Sequence, residues 1–194
     1  MTLPLIPQED KHFSITSGRI ELRQFSETDS NDLFNIRNHA SVRAGMLNNQ
    51  PIDRGRHEAF VNDNLLFKPK QWLFIARRSG EAFGLALLRD LTAPEVEIGV
   101  MLVDAERRRK EAYFVSHMIA WFGFEKLNLT SVISKVPRTN KVALDFNLKC
   151  GFTDTGVVDE HYYHLRLLRS DSHENKTHMD FRQRWPLSLE FVDS

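Results

Sequence analysis

The chain has 194 residues, enough to bury the core of one domain. Its 26 acidic and 26 basic residues balance, which argues against a net field that would attract nucleic acid or an anionic membrane. Its single cysteine, Cys150, excludes an intramolecular disulfide and is typical of a reducing compartment.

The N-terminal region shows no targeting segment. Residues 1–17 lack a basic region followed by a long apolar run, which is the pattern of a secretory signal. No apolar run approaches the length of about 18 residues that a membrane helix needs. We therefore expect a cytoplasmic protein whose partners include neither a membrane nor nucleic acid. Because residues 1–17 show no periodicity, we interpret them as an N-terminal arm.

The next part of the chain predicts one strand and two helices. Apolar and polar residues alternate over residues 19–25, which indicates a half-buried strand. Several N-cap residues then precede an apolar pattern, so a helix is expected to begin near Ser30. After a loop at residues 48–51, the spacing over residues 54–66 predicts a second, short helix.

The middle of the chain predicts a hairpin followed by a strand–helix–strand unit. Residues 71–77 and 82–88 are apolar runs joined by turn chemistry, as in a β-hairpin. A strand that ends near Leu102, a helix over residues 112–126 and a strand over residues 129–136 come next.

The last part predicts a helix, two strands and a tail. Residues 140–149 form an amphipathic pattern that Gly151 can close as a C-cap. Residues 152–158 and 161–168 are predicted to be antiparallel strands, and residues 169–194 a tail. Helices around a largely antiparallel sheet, with a strand–helix–strand unit in its middle, place the chain in the α/β or α+β class.

Residues 97–112, EIGVMLVDAERRRKEA, form the central pattern of the chain. Alternation gives the strand two faces, one with Val96, Ile98, Val100 and Leu102 and the other with Glu97, Gly99 and Met101. A cationic turn then leads into a helix N-terminus, where free N–H groups and the helix dipole favour a phosphate. The alternative is a charged turn that is merely solvated.

This order of elements resembles the GNAT family of acyl-CoA-dependent N-acetyltransferases over residues 18–168. Four stretches carry the resemblance: RIELRQFSETD, the hairpin, EIGVMLVDAERRRKEA and NKVALDFNLKCGF. The similarity is to the branch with ribosomal-protein and nucleotide-amino-sugar acetyltransferases. It implies a GNAT fold, α/β (α+β), with a mixed, mostly antiparallel sheet of about seven strands and about four flanking helices. It also implies a domain over residues 18–168 and a tail over residues 169–194.

The resemblance implies transfer of an acetyl group from acetyl-CoA, the co-substrate, to the primary amine of a small molecule, without a metal. The pantetheine arm is expected to pair as a pseudo-strand with the strand backbone, and the pyrophosphate to lie at the turn. Asn140 is expected to reach the same arm or to cap the following helix. The implied acetyl-CoA-binding residues are Val100, Met101, Leu102, Arg107, Arg108, Arg109, Lys110, Glu111, Ala112 and Asn140.

Two residues depart from the family pattern. Lys110 stands where the pattern has glycine, which would cost on the order of 1 kcal/mol if that position needs a positive φ. Asn147 stands where many members have a tyrosine that protonates the leaving thiolate. Asparagine cannot supply that proton, so the sequence leaves the general acid unassigned.

Glu97 is the expected catalytic base, because it lies on the central strand and shares the face of Gly99. The alternative for Glu97 is a structural ion pair with an arginine of a neighbouring strand. Alternation along the last strand places His161 and Tyr163 on one face and Tyr162 and His164 on the other. One of these pairs can line a cleft, where it would orient the substrate or donate a proton; strand packing is the alternative.

The expected substrate-binding residues are Arg37, Asn48, His57 and Tyr163. The first three belong to RNHASVRAGMLNNQPI and the segment after it, which resemble the nucleotide-amino-sugar branch and suit a sugar or phosphate. The favoured acceptor is therefore a small or nucleotide-linked amino sugar. The alternatives are the N-terminus of a ribosomal protein, or a non-catalytic module that binds CoA. Aromatic residues at 181–191 are expected to pack on the domain or against a second subunit in a homodimer.

Overall fold

A single mixed sheet forms the centre of the molecule in the computed structural model, which describes residues 12–66, 71–91, 96–105 and 108–192. The strands in these ranges are β1 His12–Ser17, β2 Ile20–Gln24, β3 Gln71–Arg78, β4 Glu81–Arg89, β5 Val96–Leu102, β6 Ser131–Pro137, β7 Thr153–Asp154, β8 Tyr162–Leu168 and β9 Ser188–Val192. Their order across the sheet is β7-β8-β6-β5-β4-β3-β2-β1-β9. All neighbours in it are antiparallel except β5 and β6, which run parallel.

Helices lie on both faces of this sheet. Those described are α1 Ser30–Asn38, α2 Ala40–Arg43, α3 Arg54–Val61, α4 Arg109–Trp121, α5 Lys141–Lys149, α6 Arg169–Glu174 and α7 Lys176–Arg184. A 3₁₀ turn at Glu27–Asp29 leads into α1, and π-helical turns at Asn62–Leu66 and Phe122–Lys126 continue α3 and α4. None of the helices described combines the length and apolarity needed to cross a membrane.

The predicted fold class is confirmed, and the described sheet has nine strands where about seven were expected. Both additional strands come from segments expected to lie outside the domain. Residues 12–17 of the expected arm form β1, which pairs with both β2 and β9, and residues 188–192 of the expected tail form β9. Residues 1–11 lie outside the described residues. Each of these strands is at least as long as β2, which was predicted, so the sequence failed to reveal their pairing between distant segments.

Two hydrophobic cores cover the two faces of the sheet. On one face, Val96, Ile98 and Leu102 of β5 pack in the core that includes Val115 and Met118 of α4. On the other face, Leu33 of α1 belongs to a second core, against which Met101 packs. The alternation predicted for β5 is therefore confirmed: its even-numbered side chains face α4, and its odd-numbered side chains face α1.

The only parallel pairing described, between β5 and β6, opens after two residues. Val96 pairs with Val132 and Glu97 with Ile133, and the paired register ends there. β5 nevertheless continues to Leu102 and β6 to Pro137, so the two strands diverge over the rest of their length. The sheet contains a gap at this point, with α4 and α5 on one side of it.

Candidate active site

The backbone of β5 directs polar groups into the gap. In an antiparallel pair, alternate residues bond to the partner strand and the residues between them point away. The Val103 N–H donates to the Phe83 carbonyl of the preceding chain at 2.9 Å, which sets this alternation. Met101 therefore bonds towards β4, whereas Val100 and Leu102 direct their N–H and C=O groups to the gap. Two of the three predicted strand residues thus offer backbone groups to an extended, peptide-like ligand.

α4 begins at Arg109, and its N-terminus is where the sequence predicts an anion site. The first hydrogen bond of the helix runs from the Ala112 N–H to the Arg108 carbonyl at 2.9 Å. The N–H groups of Arg109, Lys110 and Glu111 precede it and have no acceptor within the helix. The guanidinium of Arg108 lies 5.1 Å from the ring centre of Phe83. The fourth expected residue, Arg107, lies outside the described residues, and only the backbone of Arg109 is described.

Lys110 is not strained. It lies in the first turn of α4 with an exposed side chain and is absent from the residues with positive φ. The left-handed residue in this segment is Asp104, with a φ of 50°. The strain expected for a side chain in place of glycine therefore does not arise at this position, and the Lys110 ammonium adds positive charge beside the free N–H groups.

The two remaining turn residues have different surroundings. The Glu111 carboxylate forms an ion pair with Arg78 at 2.7 Å, which offsets the negative charge at the helix N-terminus. Ala112 is 8% exposed and belongs to the core under α4. Its side chain is therefore part of the packing, and its backbone closes the first turn.

Asn140 caps α5 and joins it to the loop after α2. Its Oδ1 accepts from the Ala143 N–H at 3.0 Å, and its Nδ2 donates to the Gly45 carbonyl at 3.0 Å. A Cβ on Gly45 would approach that Nδ2 to 2.7 Å, so this contact needs glycine. Both polar ends of the Asn140 side chain are engaged, which favours the cap over contact with the pantetheine arm. Asn147 donates to the Ala143 carbonyl at 2.8 Å, within its own helix.

The segment from α2 to Gly45 spans the mouth of the gap. The Asp104 N–H, just after β5, donates to Ser41 Oγ at 2.9 Å. Gly45 is held by Asn140, which follows β6. The two bonds attach one segment to the ends of both diverging strands. This segment therefore forms part of the wall of any ligand site in the gap.

Glu97 stands at the start of the gap and is engaged in ion pairs. It is 5% exposed. Its Oε1 contacts the guanidinium of Arg89, the residue opposite it on β4, and its Oε2 lies 3.5 Å from the ammonium of Lys135 on β6. The ion-pair alternative considered for Glu97 is thus present in the structure, with a lysine as the second partner.

Two cations, Arg89 and Lys135, contact this carboxylate, and a third, Arg37, lies near Arg89. Arg37, at the end of α1, has a pKa lowered first by burial and then by the positive charge of Arg89. Its guanidinium lies 5.3 Å from the ring centre of Phe60. We call Arg37, Arg89 and Lys135 the cationic cluster. Among the predicted residues, Arg37 lies near Arg89, whereas Arg89 and Lys135 were not identified from the sequence.

The other three predicted substrate residues lie elsewhere. His57 is 3% exposed, with Nε2 3.0 Å from Ser30 Oγ, and its pKa is lowered chiefly by burial between α1 and α3. Asn48 is exposed and accepts from the Gln50 N–H at 3.1 Å, which shapes the loop itself. Neither side chain is directed to Glu97 by these contacts, so the structure favours packing and loop-forming roles for them.

Tyr163 lies on the opposite face of the sheet from the cationic cluster. It packs against the α4 core together with Leu165 of the same strand. Its hydroxyl accepts a hydrogen bond from Lys141, which lowers the pKa of the phenol. The guanidinium of Arg138 lies 4.6 Å from its ring centre. A role beside Arg37 is therefore excluded by strand alternation.

His164 and Asp159 form a polar pair on the face of the cationic cluster. His164 is directly opposite Lys135 in the β6–β8 register, so the two share a face. Its Nε2 is 2.8 Å from Asp159 Oδ2. The other Asp159 oxygen accepts from the N–H groups of His161 and Tyr162, at 2.8 and 3.0 Å. The pKa of Asp159 is lowered to about 2, with the hydrogen bond from His164 as the largest cause and the two backbone hydrogen bonds as the next.

Within the described ranges, no group of three or more His, Cys, Asp or Glu side chains could hold a metal ion.

Comparison with known proteins identifies the family. The sequence profile of the Acetyltransferase (GNAT) domain matches residues 19–153. Comparison with curated proteins finds no match. The spermidine N-acetyltransferase of Vibrio cholerae, solved in complex with CoA and spermine, superposes with a TM-score of 0.69 at 16% identity, over 79% of this chain and 98% of that one. A domain from Methanocaldococcus jannaschii gives 0.65 at 15% identity, over 79% and 99%. At such identities the likeness concerns the fold.

Proposed function

The chain belongs to the GNAT acetyltransferases, whose acetyl donor is acetyl-CoA, and we propose that its acceptor is a small primary amine that also carries a negatively charged group. A nucleotide-linked amino sugar is one acceptor of this class, and it agrees with the resemblance of RNHASVRAGMLNNQPI to that branch of the family. The observation that carries the proposal is the cationic cluster at the start of the gap.

Acetyl-CoA fits the groups available at the gap. Its pantetheine arm contains amides, which can pair with the outward backbone groups of Val100 and Leu102 as an added strand would. Its pyrophosphate can bind the free N–H groups at the start of α4, beside Lys110 and Arg108. Bound in this way, it supplies an activated acetyl group as a thioester at the point where β5 and β6 diverge.

The acceptor is expected on the face opposite α4. There the cluster presents three cations against the single carboxylate of Glu97. An anionic group on the acceptor would be attracted, and holding it would place the amine beside the thioester. A polyamine would bring further positive charge to the same place and would be repelled. Similarity of fold to a spermidine acetyltransferase therefore does not determine the acceptor of this chain.

Glu97 has a positioning role in this proposal. Both of its oxygens already contact cations, and accepting a proton from an amine would weaken both contacts. Its contribution is to hold Arg89 and Lys135 in place at the edge of the gap. This replaces the expectation that Glu97 is the catalytic base.

The proposal is tested by thiol release from acetyl-CoA with four amines: 2-aminoethyl phosphate, a nucleotide-linked 4-amino sugar, spermidine and a peptide with a free N-terminus. We expect kcat/KM for an anionic amine to exceed that for spermidine by at least about tenfold, a difference of about 1.4 kcal/mol. Arg89→Met should reduce this preference. Arg169→Met is the matched control, because Arg169 also pairs with one glutamate, at 3.1 Å from Glu125, on another part of the surface.

Two outcomes would contradict the proposal. A preference for spermidine would show that the cationic cluster does not select the acceptor. An equal loss of activity in Arg89→Met and Arg169→Met would show that the effect of Arg89 is not specific. Preference for the peptide would instead favour the N-terminal acetyltransferase alternative.

A further inference from the structure

We propose that His164, oriented by Asp159, is the general base that removes a proton from the ammonium group of the acceptor. The inference rests on the proposed function, since it assigns a step of the same reaction. It also provides a base other than Glu97, whose oxygens already contact cations.

The Asp159 carboxylate fixes both the orientation and the tautomer of His164. An ionised carboxylate only accepts hydrogen bonds, so the His164 Nε2, 2.8 Å from Oδ2, must carry the proton of this bond. In the neutral ring Nδ1 then holds the lone pair and can accept a proton. Asp159 itself is held by two backbone N–H groups, so the orienting group is fixed before any substrate binds. A base oriented by a carboxylate is a recurrent arrangement in enzymes.

The backbone around His164 is also held in place. The N–H and Oγ1 of Thr155 both donate to the His164 carbonyl at 2.9 Å. The side chain remains 19% exposed, so a substrate or a water molecule can reach it. The ring is thus restrained without being buried, as a proton acceptor on a substrate face needs to be.

The register of the sheet places His164 on β8 beside Lys135 of β6, the strand that borders the gap. Ile133 is the last residue of β6 that pairs with β5, and Lys135 lies two residues further, where the gap has opened. His164 is directly opposite Lys135, and side chains in such pairs have Cβ atoms about 4.5–5.5 Å apart. An acceptor whose anionic group binds Lys135 can therefore place its ammonium group within reach of His164, directly or through one water molecule.

The charged groups around the ring come from several elements. Asp159 faces it from the loop before β8, Lys135 from β6, and Arg166 shares its face on β8, with Glu97 beyond Lys135. Asp159 is the negative charge in direct contact with the ring. It stabilises the imidazolium that forms when Nδ1 takes a proton.

Protons and electrons balance in the proposed reaction. The acceptor ammonium gives one proton to His164 Nδ1 and becomes a neutral amine. The amine nitrogen then attacks the thioester carbonyl carbon, the C–N bond forms, and the C–S bond breaks with its electron pair on sulfur. The second amine proton passes to the CoA thiolate, and the imidazolium returns its proton to solvent. The products are the acetylated amine, free CoA and one proton.

The other candidate groups do not meet these requirements. Tyr163 is on the opposite face of the sheet, and His57 is buried between α1 and α3. In the described part of the cluster face, His164 combines a free lone pair, a fixed orientation and solvent access.

The test compares two nucleophiles in the full-length enzyme with acetyl-CoA at pH 7. 2-Aminoethyl phosphate carries an alkyl ammonium group, whose pKa resembles that of lysine, about 10.4, so it needs a base. Hydroxylamine is largely neutral at this pH and needs none. We expect His164→Gln to lower kcat/KM for 2-aminoethyl phosphate by at least about tenfold, to leave that for hydroxylamine within about twofold, and to remove the acidic limb of the pH profile.

Two further variants complete the experiment. Asp159→Asn should give a smaller loss with the same dependence on the nucleophile, because it removes orientation and not the base. His161→Gln is the matched control, since His161 is an exposed histidine just before the same strand, and it should behave as the wild-type enzyme. Binding of acetyl-CoA and the melting temperature verify that each variant folds.

The outcomes distinguish this inference from the proposed function. The assignment of His164 alone would be overturned if the wild-type enzyme releases thiol and the His164→Gln variant is equally active. It would also be overturned if the variant loses activity equally with both nucleophiles. If the wild-type enzyme releases no thiol with any of these amines, the proposed function fails and the assignment of the base fails with it.

Discussion

At the scale of single residues, the acceptor side of the gap depends on charges that meet across strands. Arg89 and Glu97 lie opposite each other on β4 and β5, and Lys135 reaches Glu97 from β6. The strongly buried partner is Glu97, with 7% of its side chain exposed, against 48% for Arg89. The carboxylate therefore positions the more exposed cations. Its removal should change the binding of the acceptor more than it changes the rate of the chemical step.

Glu97→Gln separates a positioning role from that of a base. We expect kcat to fall less than about tenfold and the acidic limb of the pH profile to remain, while KM for an anionic amine changes. Removal of a general base would instead lower kcat by about 10²–10⁴-fold and abolish that limb. Steady-state kinetics over a range of pH measures both quantities, and a loss in the second range would restore Glu97 as the base.

At the scale of elements, the junction between β5 and α4 joins the two ends of the acetyl-CoA site. The backbone of β5 points into the gap, and the helix that follows begins with free N–H groups. The departure from the family pattern at Lys110 falls within the first turn of α4, where an ordinary side chain is accommodated. The left-handed geometry of this segment is taken by Asp104 instead.

Replacing Lys110 by glycine tests this geometry by the sign of its effect. In a helical turn, glycine should lower the free energy of unfolding by up to about 1 kcal/mol, and in a left-handed turn it would raise it. Ser79→Gly provides the opposite case. Because Ser79 is exposed with a φ of 51°, this substitution should raise the free energy of unfolding by roughly 1 kcal/mol. Urea unfolding measures both, and stabilisation by Lys110→Gly would contradict the helical assignment.

At the scale of the whole molecule, the two ends of the described chain close one side of the sheet. β9 pairs with β1 along residues 188–192, and Ser17 Oγ donates to the Trp185 carbonyl at 3.2 Å. The Trp185 ring lies 5.0 Å from that of Phe114 on α4, in an edge-to-face contact. Of the two expectations for the aromatic residues at 181–191, packing on the domain is the one seen for Trp185.

Trp185→Ala should therefore destabilise the domain although it lies far along the chain from the gap. We expect a loss of roughly 1–3 kcal/mol in the free energy of unfolding, from the lost aromatic contact and burial. Val158→Ala is the control, because Val158 is 95% exposed and should change stability by less than about 0.5 kcal/mol. Equal effects of the two changes would mean that the C-terminal segment does not support the domain.

The sequence was sufficient for features that depend on local pattern. The alternation of β5 and the helix after the cationic turn follow from spacing and residue type along a few neighbouring positions. For Asn140 the sequence left two roles open, and the contacts of its side chain favour the cap. The sequence failed for β1 and β9, because their pairing joins segments from opposite ends of the chain and leaves no local signal. Similarly, His57 has the residue type of a ligand, but its burial depends on how α3 packs against α1.

What the sequence by itself determined about this protein is its family, its fold class and the strand–turn–helix unit at which we propose that acetyl-CoA binds. What only the tertiary structure decided is which side chains meet at the acceptor side. Arg37, Arg89, Lys135 and His164 are distant in sequence and come together through helix packing and strand register. The physical reason is that strand register is set by pairing between segments distant in the chain, and a shift of one residue would move every such side chain to the opposite face.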